Sequence, residues 1–394
     1  MSRRLTLALA VALPLLACRA RLAAAPPPPA AAGAVRFFRV ANSAFDVYTR
    51  DPSLAARRWM RRTYGSMLTY SPYFDSRLRW FGNAWAYKDL YAIYPGSPLA
   101  REHPEWILRD ARGNSLYIPY ACAGGRCPQY AADVGCPAFR ARWISEAGNL
   151  LARGYRGVFV DDVNMLVSRV GDGTGRAVPP VDPRTGRAMT EGDWRRYVAE
   201  FTEGIATAFP EAELVHNALW FAGHDDPDVA RELESASVIN IERGVNDSGL
   251  RGGAGPYGFE TFLTHIDWLH AHGKVVVLDG GAETDAQREY GLAAYLLVST
   301  GGDSLGNDRG GRPDDWWSGY DVSLGPALGP RYVWSGVLRR DFGLGVALLN
   351  PPDAASQTVA LESGYVDLTG QPRTTVTLGA AEGAVLVKAV RDAG

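Results

Sequence analysis

Lysine is nearly missing from this chain: Lys88, Lys274 and Lys388 are three of 41 basic residues. No basic stripe or block of like charge offsets the shortage. Formal net charge is -2 and pI about 6.3, so no nucleic-acid partner is expected. Histidine and cysteine are also scarce, at six and four. The histidines offer only His270-x-His272, and none lies at ligand spacing from Cys122, Cys127 or Cys136. A zinc site and the histidine-held metal of a polysaccharide deacetylase are therefore not expected, and no cofactor is assigned. No Gly-x-Gly-x-x-Gly follows the first apolar run, which argues against a dinucleotide-binding sheet. A serine hydrolase would need Gly-x-Ser-x-Gly at a strand-to-helix elbow, and no such elbow is expected. The apolar run Leu5 to Ala17 is too short to cross a bilayer comfortably.

That run follows Arg3 and Arg4 and reads as a secretion signal over residues 1–25. Leu15-Leu16-Ala17-Cys18 resembles a lipoprotein processing box, which would make Cys18 a lipid anchor. A plain cut after Ala23, Ala24 or Ala25 is the alternative, and the sequence leaves both open. Residues 26–35 then form a Pro/Ala-rich tether, extended and solvated. The expected location is outside the cytoplasm: periplasm, cell surface or medium. One disulfide fits such a compartment, most simply Cys122 to Cys127.

The whole chain, 394 residues with 46% apolar and 21% charged content, suits a barrel plus a smaller module. Short apolar runs alternate with stretches of helical period, which predicts βα units. Eight strands are expected: Phe37 to Ala41, Ser66 to Tyr70, Ala84 to Tyr87, Gly157 to Asp161, Glu213 to Asn217, Ser237 to Glu242, Lys274 to Asp279 and Leu296 to Thr300. The fold class predicted is α/β, a (β/α)8 TIM-type barrel over 36–328. Past residue 330 helical period vanishes and short β-type runs follow. They predict a small C-terminal antiparallel, β-sandwich-like domain over 329–394, packed on the barrel. A monomer is expected.

Acids recur at strand ends: Asp161-Asp162, Glu242 and Asp279. In a parallel barrel those ends share one rim, where active sites form. Strand alternation favours Asp161 over Asp162 as the inward acid, since Phe159 shares its face. Asn240 lies one step deeper than Glu242 on the same face. Acetal cleavage needs a proton on the leaving oxygen and a negative partner for the cationic transition state. Asp161 is therefore the candidate nucleophile or base and Glu242 the candidate proton donor. An acid after a strand is also a common helix cap or salt-bridge partner, so the convergence of several ends carries the reading. Eleven tryptophans and 18 tyrosines offer faces for sugar rings. Trp220, past the fifth strand, and Trp316 with Trp317, past the eighth, are the candidate platforms.

Three stretches together resemble a family. They are Tyr87-Lys88-Asp89, His103-Pro104-Glu105-Trp106 with Asp110 and Gly113, and Gly154 through Asp161-Asp162. They are similar to the glycoside hydrolase-like barrels of bacterial genomes and, more distantly, to endo-galactosaminidase and α-amylase-like barrels. The resemblance spans roughly residues 36–390. It implies that Asp161, ending a glycine-led fourth strand, matches the catalytic aspartate. It also implies that Glu242 occupies the proton-donor strand end of the galactosaminidase-like barrels. In the amylase-like group the donor sits one strand earlier, where this chain has His216-Asn217. Asp162, Asp279, Asn217, Tyr87, Lys88, Asp133, Arg243, Trp220, Asp303 and Trp316 complete the candidate substrate-binding set. The function expected is cleavage of a carbohydrate substrate, a poly- or oligosaccharide. The rival is a glycan-binding surface lipoprotein with a retired barrel, in which one of the acids lies outside the cleft or is neutralised by a salt bridge, as Arg243 beside Glu242 would allow.

Overall fold

The structure is a computed structural model that describes residues 33–306 and 315–389. The signal segment, Cys18 and most of the tether lie outside them. Eight parallel strands close a barrel: β1 (Phe37–Ala41), β2 (Tyr64–Thr69), β3 (Ala84–Asp89), β4 (Gly157–Val163), β5 (Glu213–Ala218), β6 (Val238–Glu242), β7 (Val275–Asp279) and β8 (Ser304–Gly306). Each strand pairs with its neighbours in sequence order, and β8 pairs with β1 to close the ring.

Phe38, Leu68, Trp85, Phe159, Val215, Val238 and Val277 fill the barrel as one buried cluster. Trp85, Phe159, Val215, Val238 and Val277 stand two residues before Tyr87, Asp161, Asn217, Asn240 and Asp279, as a period of two requires. The opposite faces pack under the helices α1 (Leu54–Thr63), α2 (Pro137–Ala152), α3 (Glu191–Ala208), α4 (Pro227–Ser235), α5 (Phe259–Ala271) and α6 (Asp285–Val298). Their starts are written locally. Thr190 with Asp193, and Thr284 with Gln287, form capping boxes, and Pro137 and Pro227 open α2 and α4. Gly157 lets β4 meet β5 closely, because a Cβ there would stand 2.0 Å from the Glu213 carbonyl oxygen.

The eighth strand is not where the sequence placed it. Leu296 to Val298 belong to α6, and the strand is Ser304–Gly306. Every residue of α6 from Tyr290 to Val298 is buried. An all-round apolar helix gives the same short apolar run as a buried strand. The stretch Gly302-Asp303-Ser304-Leu305-Gly306 does spell Gly-x-Ser-x-Gly. It runs into and along β8 with Ser304 buried, so it is no elbow.

Two excursions, residues 90–136 and 164–190, bridge to each other between Tyr117 and Gly171 on the side where β3 and β4 end. The first holds the Cys122–Cys127 disulfide, and Cys136 is free. The C-terminal strands β9 (Tyr332–Trp334), β10 (Val337–Phe342), β11 (Gly345–Asn350), β12 (Gln357–Val366), β13 (Pro372–Leu378) and β14 (Glu382–Lys388) make one sheet, ordered β9-β10-β11-β14-β12-β13. It is a single curled sheet and not a sandwich of two. β12 carries an irregularity between Ala360 and Tyr365 that bends it across its neighbours. The run Val333 to Leu338 is split by a turn at Ser335-Gly336, both left-handed. One face closes its own small core around Val346, Leu348 and Leu386. The other gives Phe342, Ala347, Leu349 and Val385 to the barrel's core. Arg340 reaches across to the carbonyls of Leu296, Leu297 and Ser299 at the end of α6.

Candidate active site at the barrel mouth

Four strands deliver polar side chains to one mouth. Asp161, on β4, accepts hydrogen bonds from Tyr87 Oη of β3 (2.7 Å), Asn217 Nδ2 of β5 (2.8 Å) and the Asp162 backbone N–H (2.9 Å). The same Asn217 Nδ2 donates to Glu242 Oε2 of β6 at 3.2 Å. Asn240, two residues deeper, donates from Nδ2 to Asn217 Oδ1 at 3.0 Å. That bond fixes the Asn217 amide, so its two N–H groups face the two carboxylates. Asp161 Oδ1 and Glu242 Oε2 thus stand no more than about 6 Å apart, since one nitrogen touches both. Glu242 is exposed at the rim, while Asp161 is partly buried.

Asp162 turns away from the pair in left-handed backbone (φ 55°) and accepts from Asn164 Nδ2 at 2.9 Å. Burial, then the Asp161 charge beside it, pushes its carboxyl up to about 6. Asp89, at the end of β3 and paired in register with Asp161, is buried and raised well above the ordinary range. Burial is the main cause, followed by the charges of Asp162 and Asp161. Burial and the Asp161 charge likewise keep the Tyr87 phenol protonated, so it serves as a donor. Asp279 ends β7 beside Glu242 in register, against Gly306 of β8. Arg243 follows Glu242 with φ 68°. Its exposed guanidinium lies 4.0 Å from Asp247, so the ion pair found for it is with Asp247 and not with Glu242.

Five candidate residues lie elsewhere. Lys88 alternates outward from Tyr87, bonds Glu146 of α2 at 2.8 Å and lines an open groove of about 420 Å³ with Ser71 and Arg153. Asp133 is buried and clamped by Arg184 at 2.9–3.0 Å, tying the first excursion to the second. Trp220 is 6% exposed, wedged edge-on against Phe262, and offers no open face. Asp303 precedes β8 because the strand begins later than expected. It sits at the opposite end of the barrel, bonded to His270, Thr300 and the Val276 N–H. Trp316 packs outside the barrel between Phe37 and Trp59.

Asp89, Asn164 and Asn240 were not singled out as site residues from sequence. Asn240 left a signal in its spacing from Glu242, and Asp89 ends the Tyr-Lys-Asp stretch. Asn164 left none. Among the described residues no group of three or more His, Cys, Asp or Glu side chains is arranged to hold a metal ion.

Residues 82–346 match the model of a family described as hypothetical glycosyl hydrolase family 15. No curated protein sequence matches. Among solved structures, the chain is similar to the glycoside hydrolase domain of PelA from Pseudomonas aeruginosa. Identity is 17% over 70% of this chain and 95% of that one, with a TM-score of 0.44. An α-amylase from Lactobacillus plantarum is 14% identical over 90% and 98%, TM-score 0.46. A GH36 α-galactosidase from Geobacillus stearothermophilus is 12% identical over 91% of this chain and 55% of that one, TM-score 0.48.

Proposed function

Because the chain belongs to hypothetical glycosyl hydrolase family 15, we propose that it is an exported glycoside hydrolase that cuts a poly- or oligosaccharide between Asp161 and Glu242. The observation that carries this reading is the Asn217 amide bonded to both carboxylates. A gap of at most about 6 Å between their facing oxygens suits retention, which uses ~5–5.5 Å, better than inversion, which uses ~6.5–9.5 Å. Glu242 protonates the leaving oxygen as Asp161 attacks the anomeric carbon, and the leaving group departs with that proton. Water then attacks the glycosyl-enzyme, giving its proton to Glu242 and releasing Asp161. Asp162, pushed up to about 6, is a second candidate donor. Its carboxyl is engaged with Asn164 and Asp89, which favours the exposed Glu242.

Export rests on the N-terminal pattern, and the Cys122–Cys127 disulfide is consistent with an oxidising compartment. A lipid anchor through Cys18 and a monomeric state belong to the same proposal. Labelling with radioactive palmitate tests the anchor: loss of label in Cys18→Ala is expected, and an unlabelled native protein refutes it.

The catalytic test is a screen of α- and β-linked glycans with native protein, Asp161→Asn and Glu242→Gln. Each substitution should lower release by roughly 1,000-fold or more with binding retained. Release that survives either change removes that residue from the mechanism. Binding without release by the native protein would return the glycan-binding alternative.

A further inference from the structure

We propose that Asp89 is a positioning residue of this site that acts as a neutral carboxylic acid, donating its proton in a hydrogen bond to the Asp162 carboxylate. Its role rests on the hydrolase reading, although the bond itself does not. Asp89 Oδ1 is occupied by the backbone N–H groups of Tyr91 (2.8 Å) and Ala92 (2.7 Å). Asp89 Oδ2 is sealed from solvent and meets no donor. The Asp162 carboxyl stands within hydrogen-bonding reach of this side chain; the contact raises the Asp89 carboxyl and lowers that of Asp162. Two carboxylates cannot face each other in a buried site unless one keeps a proton, and with it the contact becomes a strong, charge-assisted bond.

The more buried partner holds the proton. Asp89 is 7% exposed, whereas Asp162 is only partly buried and already accepts from Asn164. The groups that face the pair are Asp161 of β4, Glu242 of β6, the hydroxyls of Tyr87 and Tyr91 and Asn164, with the Arg169 guanidinium acting on Tyr91. Lys88 is turned outward to Glu146, and Trp143 of α2 donates to the Asp89 carbonyl and not to its carboxyl. Neither carboxyl has an ion pair with lysine or arginine among the described residues. One proton therefore limits the charge beside Asp161.

It also positions Asp161. The Asp162 backbone N–H is one of the three donors on Asp161, and Asp162 holds its left-handed turn with its side chain tied to Asn164 and Asp89. Releasing that side chain would let the N–H swing.

The test compares native protein, Asp89→Asn and Asp89→Leu. Infrared difference spectra at pH 7 should show a protonated-carboxyl band in native protein that disappears in Asp89→Asn. The amide keeps an N–H donor toward Asp162 and an acceptor for Tyr91 and Ala92, so its kcat should stay within about threefold of native. Asp89→Leu removes the donor and should lower kcat by roughly 10- to 100-fold with KM little changed. A native spectrum without the band, or an Asp89→Asn variant as impaired as Asp89→Leu, overturns the proposal. The spectrum needs no glycan and Asp89→Asn keeps the fold's contacts. A protein that cleaves nothing would thus sink the hydrolase reading while the band still decides the pair.

Discussion

Asp162 sits one residue past Asp161, yet its environment is the reverse. Asp161 is ringed by three donors, whereas Asp162 shares its surroundings with other acids. Folding raises the Asp162 carboxyl to about 6, so the folded protein binds that proton more tightly than the unfolded chain. The resulting stabilisation is complete below about pH 4 and is lost as pH rises through about 6. An Asp162→Asn variant has no such dependence. Chemical denaturation should show native stability falling relative to Asp162→Asn by on the order of 2 kcal/mol between pH 4 and pH 8. A difference that stays flat would place the raised carboxyl elsewhere. At this scale the inward parity of Asp161 was legible, because alternation along a strand is local. The pairing of Asp89 with Asp162 was not, because it exists only once β3 lies beside β4.

Elements decide which acids meet. Seven of the eight strands could be read from sequence, since each is an apolar run ending in a polar group or a turn. The eighth is three residues long and follows a helix whose second half is buried on every side, so its pattern misled. The error carried Asp303 to the wrong end of the barrel. It also hid the role of Gly306, whose added Cβ would lie 2.5 Å from Asp279 Oδ1 and 2.8 Å from Asp279 Cα. Because one of those atoms is backbone, Gly306→Ala must shift β7 against β8. We expect a loss of about 1–3 kcal/mol in stability and a several-fold rise in KM for glycan, with kcat less affected. Unchanged thermal melting and KM would show that the mouth tolerates the methyl and that Asp279 is not held there.

At the scale of the whole molecule, the change of texture near residue 330 announced a second module but not how it docks. The docking face alternates with the sheet's own small core, and polar contacts reinforce it, among them the pair of Arg331 with Asp267 of α5. Arg340 bonds three carbonyls at the end of α6, and Glu289 of α6 accepts from the Val385 N–H of β14. Arg340→Ala leaves half-buried carbonyls without that partner and should cost about 1–3 kcal/mol. Calorimetry should show barrel and sheet melting together in native protein; a separate early transition of the sheet would mean that the contact is weak. The barrel's closure matters for the same reason: it sets Asp161 and Glu242 on either side of one amide. The most direct test is proton NMR of the first anomer released from a glycan that the native enzyme cuts. A gap of at most about 6 Å predicts product with the substrate's own anomeric configuration, whereas the opposite anomer would contradict attack by Asp161.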